Sequence, residues 1–254
     1  MYDDCGHLVE MLHPIRRVVS LVPSLTEAVE TTAPGLVVGA TDWCTHPPDL
    51  RVRRVGGTKN PRLDDVVDLA PDVVVANEEE NRAVDIDDLR GRGIAVWVTF
   101  PQSVSDALRS LDRMLQLGCG LSRPSWLDDA QETWMGPDEP ARSLRAIVPI
   151  WRRPWMVLGR DTFAGDLLAR LGVTNALRGA TDRYPRIDID EVGSLRPDLV
   201  VLPDEPYPFG PDDGPEVFAT WDVPIAFVSG RHLTWYGPSL VDARSLLRAQ
   251  LDAA

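Results

Sequence analysis

The 254-residue chain lacks most of the signatures that tie a sequence to a chemistry. It has three cysteines, Cys5, Cys44 and Cys119, an odd number without metal-site spacing. That argues against a disulfide framework and leaves at least one thiol free. Cys44 and His46 stand close together, but no third or fourth ligand follows at a recognisable interval, so no metal site is expected. No stretch approaches the roughly 20 apolar residues of a membrane span, and no membrane insertion is expected. There is no glycine-rich phosphate loop and no G-x-S-x-G elbow; no catalytic residue is assigned and no cofactor is required. Positive charge is scarce. Against 26 Lys and Arg stand 39 Asp and Glu, a net charge of -13, which argues against nucleic acid and anionic membrane surfaces as partners. Met1 to His13 lacks the basic start and apolar run of a secretory leader. It carries Asp3, Asp4 and Glu10 instead, which as the sequence stands points to the cytoplasm. A truncated or misassigned start would place the protein in the periplasm or otherwise outside the cytoplasm.

What is present is a repeat. Asp64 to Val75 reads D-D-V-V-D-L-A-P-D-V-V-V, and Asp190 to Val201 reads D-E-V-G-S-L-R-P-D-L-V-V. Each copy opens with an acidic pair, favourable at the positive end of a helix dipole. An apolar pattern of helical spacing follows until proline stops it. A β-branched run then reads as a core strand. The copies lie about half a chain apart, too far for a solenoid, which implies two similar α/β lobes. A cleft between lobes is a common ligand site.

Around the repeats, strand and helix patterns alternate, which implies parallel sheets covered by helices. Strands are expected at Arg17 to Val22 (with Pro23-Ser24 as exit turn), Leu36 to Ala40, Val73 to Ala76, Ile94 to Phe100, Arg145 to Ile150 and Ile225 to Val228. Ser24 or Thr26 would cap the helix after the first strand. Helices are expected at Asp85 to Arg90, Ser103 to Leu117, Pro124 to Met135, Phe163 to Leu171 and Pro238 to Leu251, with a break at Gly136 to Pro140. The division is an N-terminal lobe over 14–118, a connection over 119–143 and a C-terminal lobe over 144–254. Trp97 alternates with Val96 and Val98 and reads as core.

Ligands of parallel α/β sheets bind beyond the carboxyl ends of the strands. The loops there supply Ser24, Trp43, Thr45, His46, Asn77, Glu78, Glu79 and Gln102 in the first lobe. In the second they supply Trp151, Arg152, Arg153, Trp155, Asp204, Glu205, Tyr207, His232, Trp235 and Tyr236. Tryptophan presents a large flat face with one donor, so this set suits a broad, partly apolar, ring-like ligand. Arg152 and Arg153 suit an acidic group on that ligand or a salt bridge to nearby carboxylates.

Three segments carry a family resemblance. V-V-S-L-V-P-S-L-T-E-A-V, V-V-G-A-T-D-W-C-T-H-P-P and R-V-G-G-T-K-N-P-R-L-D-D-V-V-D-L-A-P-D-V-V-V resemble the class III substrate-binding proteins of cobalamin and ferric-siderophore ABC importers, the helical backbone metal receptor superfamily. The match runs from about residue 15 to 118 and is looser in the second half. There W-R-R-P-W-M-V-L-G-R-D-T-F, E-P-Y-P-F and W-Y-G resemble a subgroup that often lacks a signal peptide. The resemblance implies two α/β lobes joined by a bridging helix, here within Ser122 to Met135. It implies a non-catalytic binder of a corrinoid such as cobalamin or of another metal-chelate, with Trp43 on a ligand loop. It also implies an ABC permease as partner, docked through Asp64 and Asp190, although simple helix capping explains the same acids. The alternatives are a ferric-siderophore or haem binder, or a chelatase-like tetrapyrrole enzyme using His46 or His232 as base.

Overall fold

The computed structural model describes residues 1–11, 13–136 and 143–254, without the side chains of Asp190 and Glu191. The expected break at Gly136 to Pro140 lies, but for Gly136, outside the described residues. The chain forms two compact units. The first takes Met1–Pro101, Ser105–Gln131 and Tyr236–Pro238, and the second Gln102–Val104, Glu132–Trp235 and Ser239–Ala254. Three residues near the C-terminus thus return to the first unit, which no continuous division of the chain anticipates.

In the first unit, β1 (Val18–Ser20), β2 (Val37–Ala40), β3 (Arg53–Arg54), β4 (Val73–Asn77) and β5 (Val96–Thr99) form one parallel sheet in the order β3-β2-β1-β4-β5. Both faces are covered, so β-branched runs are buried on each side. Val19, Leu21, Val74, Ala76 and Val98 pack with Val66, Ile86 and Leu89, and Trp97 is fully buried.

The second unit repeats this plan without the outermost strand. β6 (Leu144–Ile147) is followed by an antiparallel hairpin of β7 (Pro149–Arg152) and β8 (Trp155–Val157), then β9 (Val173–Asn175), β10 (Leu199–Pro203) and β11 (Ile225–Val228). Its parallel sheet has the order β11-β10-β6-β9.

The repeated Leu-x-Pro-Asp has one structural meaning in both units. The residue before proline takes a left-handed backbone, φ +43° at Ala70 and +48° at Arg196, which ends the helices Leu63–Asp68 and Ile189–Gly193. The aspartate then locks the new strand to the first strand of its sheet. Asp72 accepts from the Arg17 amide at 2.9 Å and donates its own amide to the Arg17 carbonyl at 2.8 Å. Asp198 does the same with Arg145, at 2.8 and 2.7 Å. The arginine side chains turn back onto the open helix ends: Arg17 Nη2 donates to the Leu69 carbonyl at 2.6 Å, and Arg145 Nη1 to that of Leu195 at 3.4 Å. Such carbonyls lack partners in their own helix.

Several expectations need correction. Pro23-Ser24 is not an exit turn, because the helix Pro23–Thr32 begins at the proline, whose missing N–H costs nothing at a first helical position. Val22 caps it without a side-chain bond; Ser24 lies inside the first turn, and Thr26 Oγ1 donates back to the Val22 carbonyl at 2.9 Å. Arg145 to Ile150 is not one strand, because the chain leaves the sheet after Ile147 to enter the hairpin. The helix from Val104 widens to a π-turn at Met114–Gly118, where a side chain on Gly118 would sit 3.1 Å from the Trp97 indole. Helix Ser125–Met135 carries the chain from the first unit into the second. Its Trp126 Nε1 donates to Thr32 Oγ1 at 3.0 Å in the first, and its Trp134 Nε1 to the Leu240 carbonyl at 2.8 Å in the second.

Candidate functional site

The strand orders locate the site edge of each sheet. In an open parallel sheet, loops diverge where the strand order reverses, leaving a crevice at the carboxyl ends. In the first unit that reversal falls between β1 and β4. Ser24 and the turn Asn77–Asn81 stand there, flanked by the loop from Thr41 after β2.

The turn is built from paired asparagines. Asn77 Oδ1 accepts from the amides of Glu79 (2.8 Å) and Glu80 (3.1 Å), and its Nδ2 donates to Tyr236 Oη at 2.7 Å and to the Thr99 carbonyl at 3.1 Å. Tyr236 Oη also lies 2.9 Å from Thr99 Oγ1. Its full burial raises the phenol well above its ordinary pKa. Asn77 and Tyr236, both expected on the ligand surface, are therefore interior groups that hold the turn. Ser24 is also buried, its Oγ without a hydrogen-bond partner among the described residues. By contrast, Trp43 is 66% exposed. Thr45 is exposed too, with Oγ1 3.1 Å from His46 Nδ1. Glu78 is exposed and accepts from Cys5 Sγ at 3.5 Å. Cys44 is a core thiol between Thr26 Oγ1 (3.0 Å) and Thr41 Oγ1 (3.1 Å), raised in pKa by burial. Among the described residues no three His, Cys, Asp or Glu side chains are grouped to hold a metal.

In the second unit the reversal falls between β6 and β10. The β7–β8 hairpin and the loop after Pro203 stand there. Trp151, 43% exposed, meets Tyr207 edge to face at 5.6 Å. Trp155 instead turns inward, stacked on Phe209 at 6.0 Å. Arg152 is paired with Asp213 and Glu216 and lies over the Trp155 ring, which answers its charge within the unit. Tyr207 Oη donates to Asp213 Oδ2 at 2.5 Å. Trp235 is buried, donating Nε1 to Glu205 Oε2 at 3.1 Å; burial raises the Glu205 carboxyl above its ordinary pKa. His232 Nδ1 lies 2.8 Å from Ser229 Oγ. Sequence reasoning missed Asn81, Thr99, Phe209 and Asp213, because each acts through a partner distant in sequence or through a single side-chain bond.

Asp64 stands at the start of helix Leu63–Asp68, 91% exposed and 2.7 Å from Arg92 Nη1. Its neighbour Asp65 accepts from Arg62 Nε at 2.6 Å and Arg53 Nη2 at 2.5 Å, and its carboxyl lies below the ordinary range, first through Arg62. Asp190 occupies the matching place in Ile189–Gly193, its side chain outside the described residues. A cavity of about 530 Å³, lined by Gly193, Arg196, Pro197, Thr220, Trp221 and Val223, lies at the amino ends of β10 and β11, the edge away from the strand exits.

Residues 18–213 match the family model described as periplasmic binding protein. The chain is 21% identical to a vitamin B12-binding protein of Pectobacterium carotovorum, over 94% of this chain and 89% of that one. It is 30% identical to an uncharacterized ABC transporter substrate-binding lipoprotein of Bacillus subtilis, over 74% of this chain and 64% of that one. Its fold superimposes with a TM-score of 0.72 on a periplasmic haem-binding protein from Pseudomonas aeruginosa, 22% identical, covering 95% and 94% of the two chains.

These matches overturn the cytoplasmic expectation, since the family is periplasmic and a relative is a lipoprotein. The acidic residues of the opening segment answer to packing instead. Asp3 is buried and accepts from the amides of Cys5 (3.0 Å) and His7 (2.8 Å) and from Arg90 Nη2 (2.9 Å); Asp4 pairs with Arg113 at 2.5 Å. Their charge reports a fold contact and carries no information on compartment. Among the described residues no helix is long and apolar enough to cross a membrane.

Proposed function

Because the chain belongs to the periplasmic binding protein family, non-catalytic substrate-binding proteins of ABC transporters, we propose that its ligand is a corrinoid of the cobalamin type or a closely related planar metal-chelate. The observation that carries this reading is Trp43. A large indole mostly exposed at the strand exits of a sheet offers a flat apolar face that suits a macrocycle. Trp151, held edge-on by Tyr207, offers a second such face on the second unit. Thr45, His46 and Glu78 supply polar contacts beside Trp43. Asn77, Tyr236, Trp155, Arg152 and Trp235 act behind the surface, fixing the loops that carry it, while Ser24 lies buried beside them and His232 is held by Ser229. The B12-binding relative supports the corrinoid reading, and the likeness to a haem-binding fold keeps haem as the second. The chelatase alternative is set aside, because the family binds its substrates without turnover.

The partner on this reading is an ABC permease. Asp64, solvent-facing at a helix start, is the docking acid of the first unit, and Asp190 holds the equivalent position in the second. The place of Asp64 in the first turn of its helix is compatible with docking, since its side chain remains 91% exposed.

The test is direct. The protein is incubated with cyanocobalamin, haemin and a ferric siderophore, desalted, and its absorbance measured. One equivalent of cyanocobalamin per chain is the expected result. Retention of none of the three at micromolar concentration refutes the reading.

A further inference from the structure

The chain contains one lysine, Lys59, among 26 basic residues. It stands on the loop from Gly56 to Pro61, which follows β3 at the strand-exit edge of the first unit. This loop is held in place before any ligand arrives. Asn81 Nδ2 donates to the carbonyls of Thr58 (3.0 Å) and Leu21 (3.2 Å), while Asn81 Oδ1 accepts from the Asn77 amide at 2.9 Å. One buried amide thus ties the Lys59 loop, the end of β1 and the end of β4 together. Gly56 adopts φ +94°, and a side chain there would stand 2.9 Å from the Asn60 carbonyl, so the turn itself is specific.

Lys59 Nζ donates to the Glu79 carbonyl at 2.5 Å. An ammonium has three donors, and this is its one hydrogen bond among the described residues. The side chain is exposed, so two N–H groups face solvent from a tethered position. The turn that receives this bond carries Glu78, Glu79 and Glu80, so the Lys59 ammonium is fixed beside three acidic residues. Trp43 belongs to the same surface. Its indole nitrogen lies 3.6 Å from where a side chain on Gly57 would begin, so the loop that carries the flat apolar plate adjoins the loop that carries the fixed donor.

We propose that Lys59 is a ligand-contact residue, its free N–H groups taking acceptor oxygens on the rim of a chelate whose face rests on Trp43. The inference rests on the planar metal-chelate reading given above and names the chemistry it requires, amide carbonyls or carboxylates projecting from the ring edge. Tethering to Glu79 lowers the entropy lost when the long side chain engages a ligand, and a charge-assisted bond is stronger than a neutral one.

The single lysine makes the test clean. The full chain is treated with an amine-selective acylating reagent, with and without cyanocobalamin (amide rim) or haemin (carboxylate rim), and Lys59 modification is read by mass spectrometry against the α-amino group as internal reference. Bound ligand slows Lys59 acylation at least several-fold and leaves the reference unchanged. In parallel, Lys59→Met weakens the retained ligand about tenfold or more, and Lys59→Arg restores most of the loss. The ligand that is retained identifies the oxygen source. Retained ligand with unchanged acylation and unchanged Lys59→Met affinity overturns the assignment of Lys59 while leaving the binding function intact. Failure of the wild-type chain to retain either ligand overturns both.

Discussion

The hydrogen-bond assembly of Asn77, Tyr236 and Thr99 gives a sharp test of how the first unit is held together. Asn77→Ala removes four bonds of 3.1 Å or less, two from the amides of Glu79 and Glu80, one to Tyr236 Oη and one to the Thr99 carbonyl, besides a longer one of 3.4 Å to Thr99 Oγ1. At about 0.5–1.5 kcal/mol net for each bond, the total is roughly 2–6 kcal/mol. The two turn amides lie near solvent, where water can replace the lost carbonyl, so a loss of about 3 kcal/mol is expected. Tyr236→Phe keeps the ring and removes two bonds. The two N–H groups of Asn77 Nδ2 retain the Thr99 carbonyl at 3.1 Å and Thr99 Oγ1 at 3.4 Å, and Thr99 Oγ1 retains the Ala76 carbonyl at 3.1 Å. No donor is orphaned, and the loss should be about 1–2 kcal/mol. The double variant should cost less than the sum, by about 1 kcal/mol, because the Asn77–Tyr236 bond is then counted once. Urea denaturation of the four proteins, followed by tryptophan fluorescence, measures all three quantities. If Asn77→Ala costs no more than Tyr236→Phe, or if the two effects simply add, then the buried bond between residues 159 apart does not hold the turn.

Three further outcomes are expected. Trp43→Ala should weaken ligand binding by about tenfold or more, since a stacked aromatic anchor contributes about 1–3 kcal/mol, yet leave the melting midpoint unchanged because the indole is mostly exposed; equal affinity by titration calorimetry would remove Trp43 from the site. Burial pushes the Cys119 thiol up to about 12 and the Tyr236 phenol well above its ordinary value. Both folded pKa values are raised, so their stability is fully present below the unfolded pKa values, about 9 for a thiol and 10 for a phenol. It is lost as pH rises beyond them, and melting midpoints should fall from pH 9 upward, less steeply in Cys119→Ala and in Tyr236→Phe; a flat wild-type profile contradicts this. Asp213→Asn should cost about 1–2 kcal/mol by loosening Arg152 and Tyr207 together, and should raise iodide quenching of tryptophan through Trp151; unchanged quenching would mean that Asp213 does not position the aromatic pair.

The readable parts of this chain were those set by local chemistry. Proline after a helical pattern, followed by aspartate and β-branched residues, marked both helix–strand units, because each signal acts within a few residues. Ile225–Val228 and Trp97 were legible for the same reason: their apolar periodicity admits one burial pattern. The candidate loops followed from the sheet class, since parallel strands present their exits along one edge.

Exposure on those loops was not legible. Trp43 and Trp235 lie in similar sequence surroundings, yet one is open to solvent while the other is buried on Glu205. Arg152 was legible as a cation but not as one already answered by Asp213 and Glu216, more than sixty residues on. The two-residue strand β3 carries no periodicity of its own and exists because β2 offers it a hydrogen-bonding edge.

The amino-acid sequence by itself therefore determined the repeated α/β unit, its parallel sheets and the loops at the strand exits, because helix stops, strand propensity and burial period act between near neighbours. Only the tertiary structure decided which side chains on those loops face solvent and which hold the scaffold. Tyr236 reaching Asn77, Arg17 reaching Leu69 and Asn81 joining Thr58 to Leu21 depend on backbone segments brought together by the sheet, and a hydrogen bond has no sequence signature when its partner is chosen by distance in space.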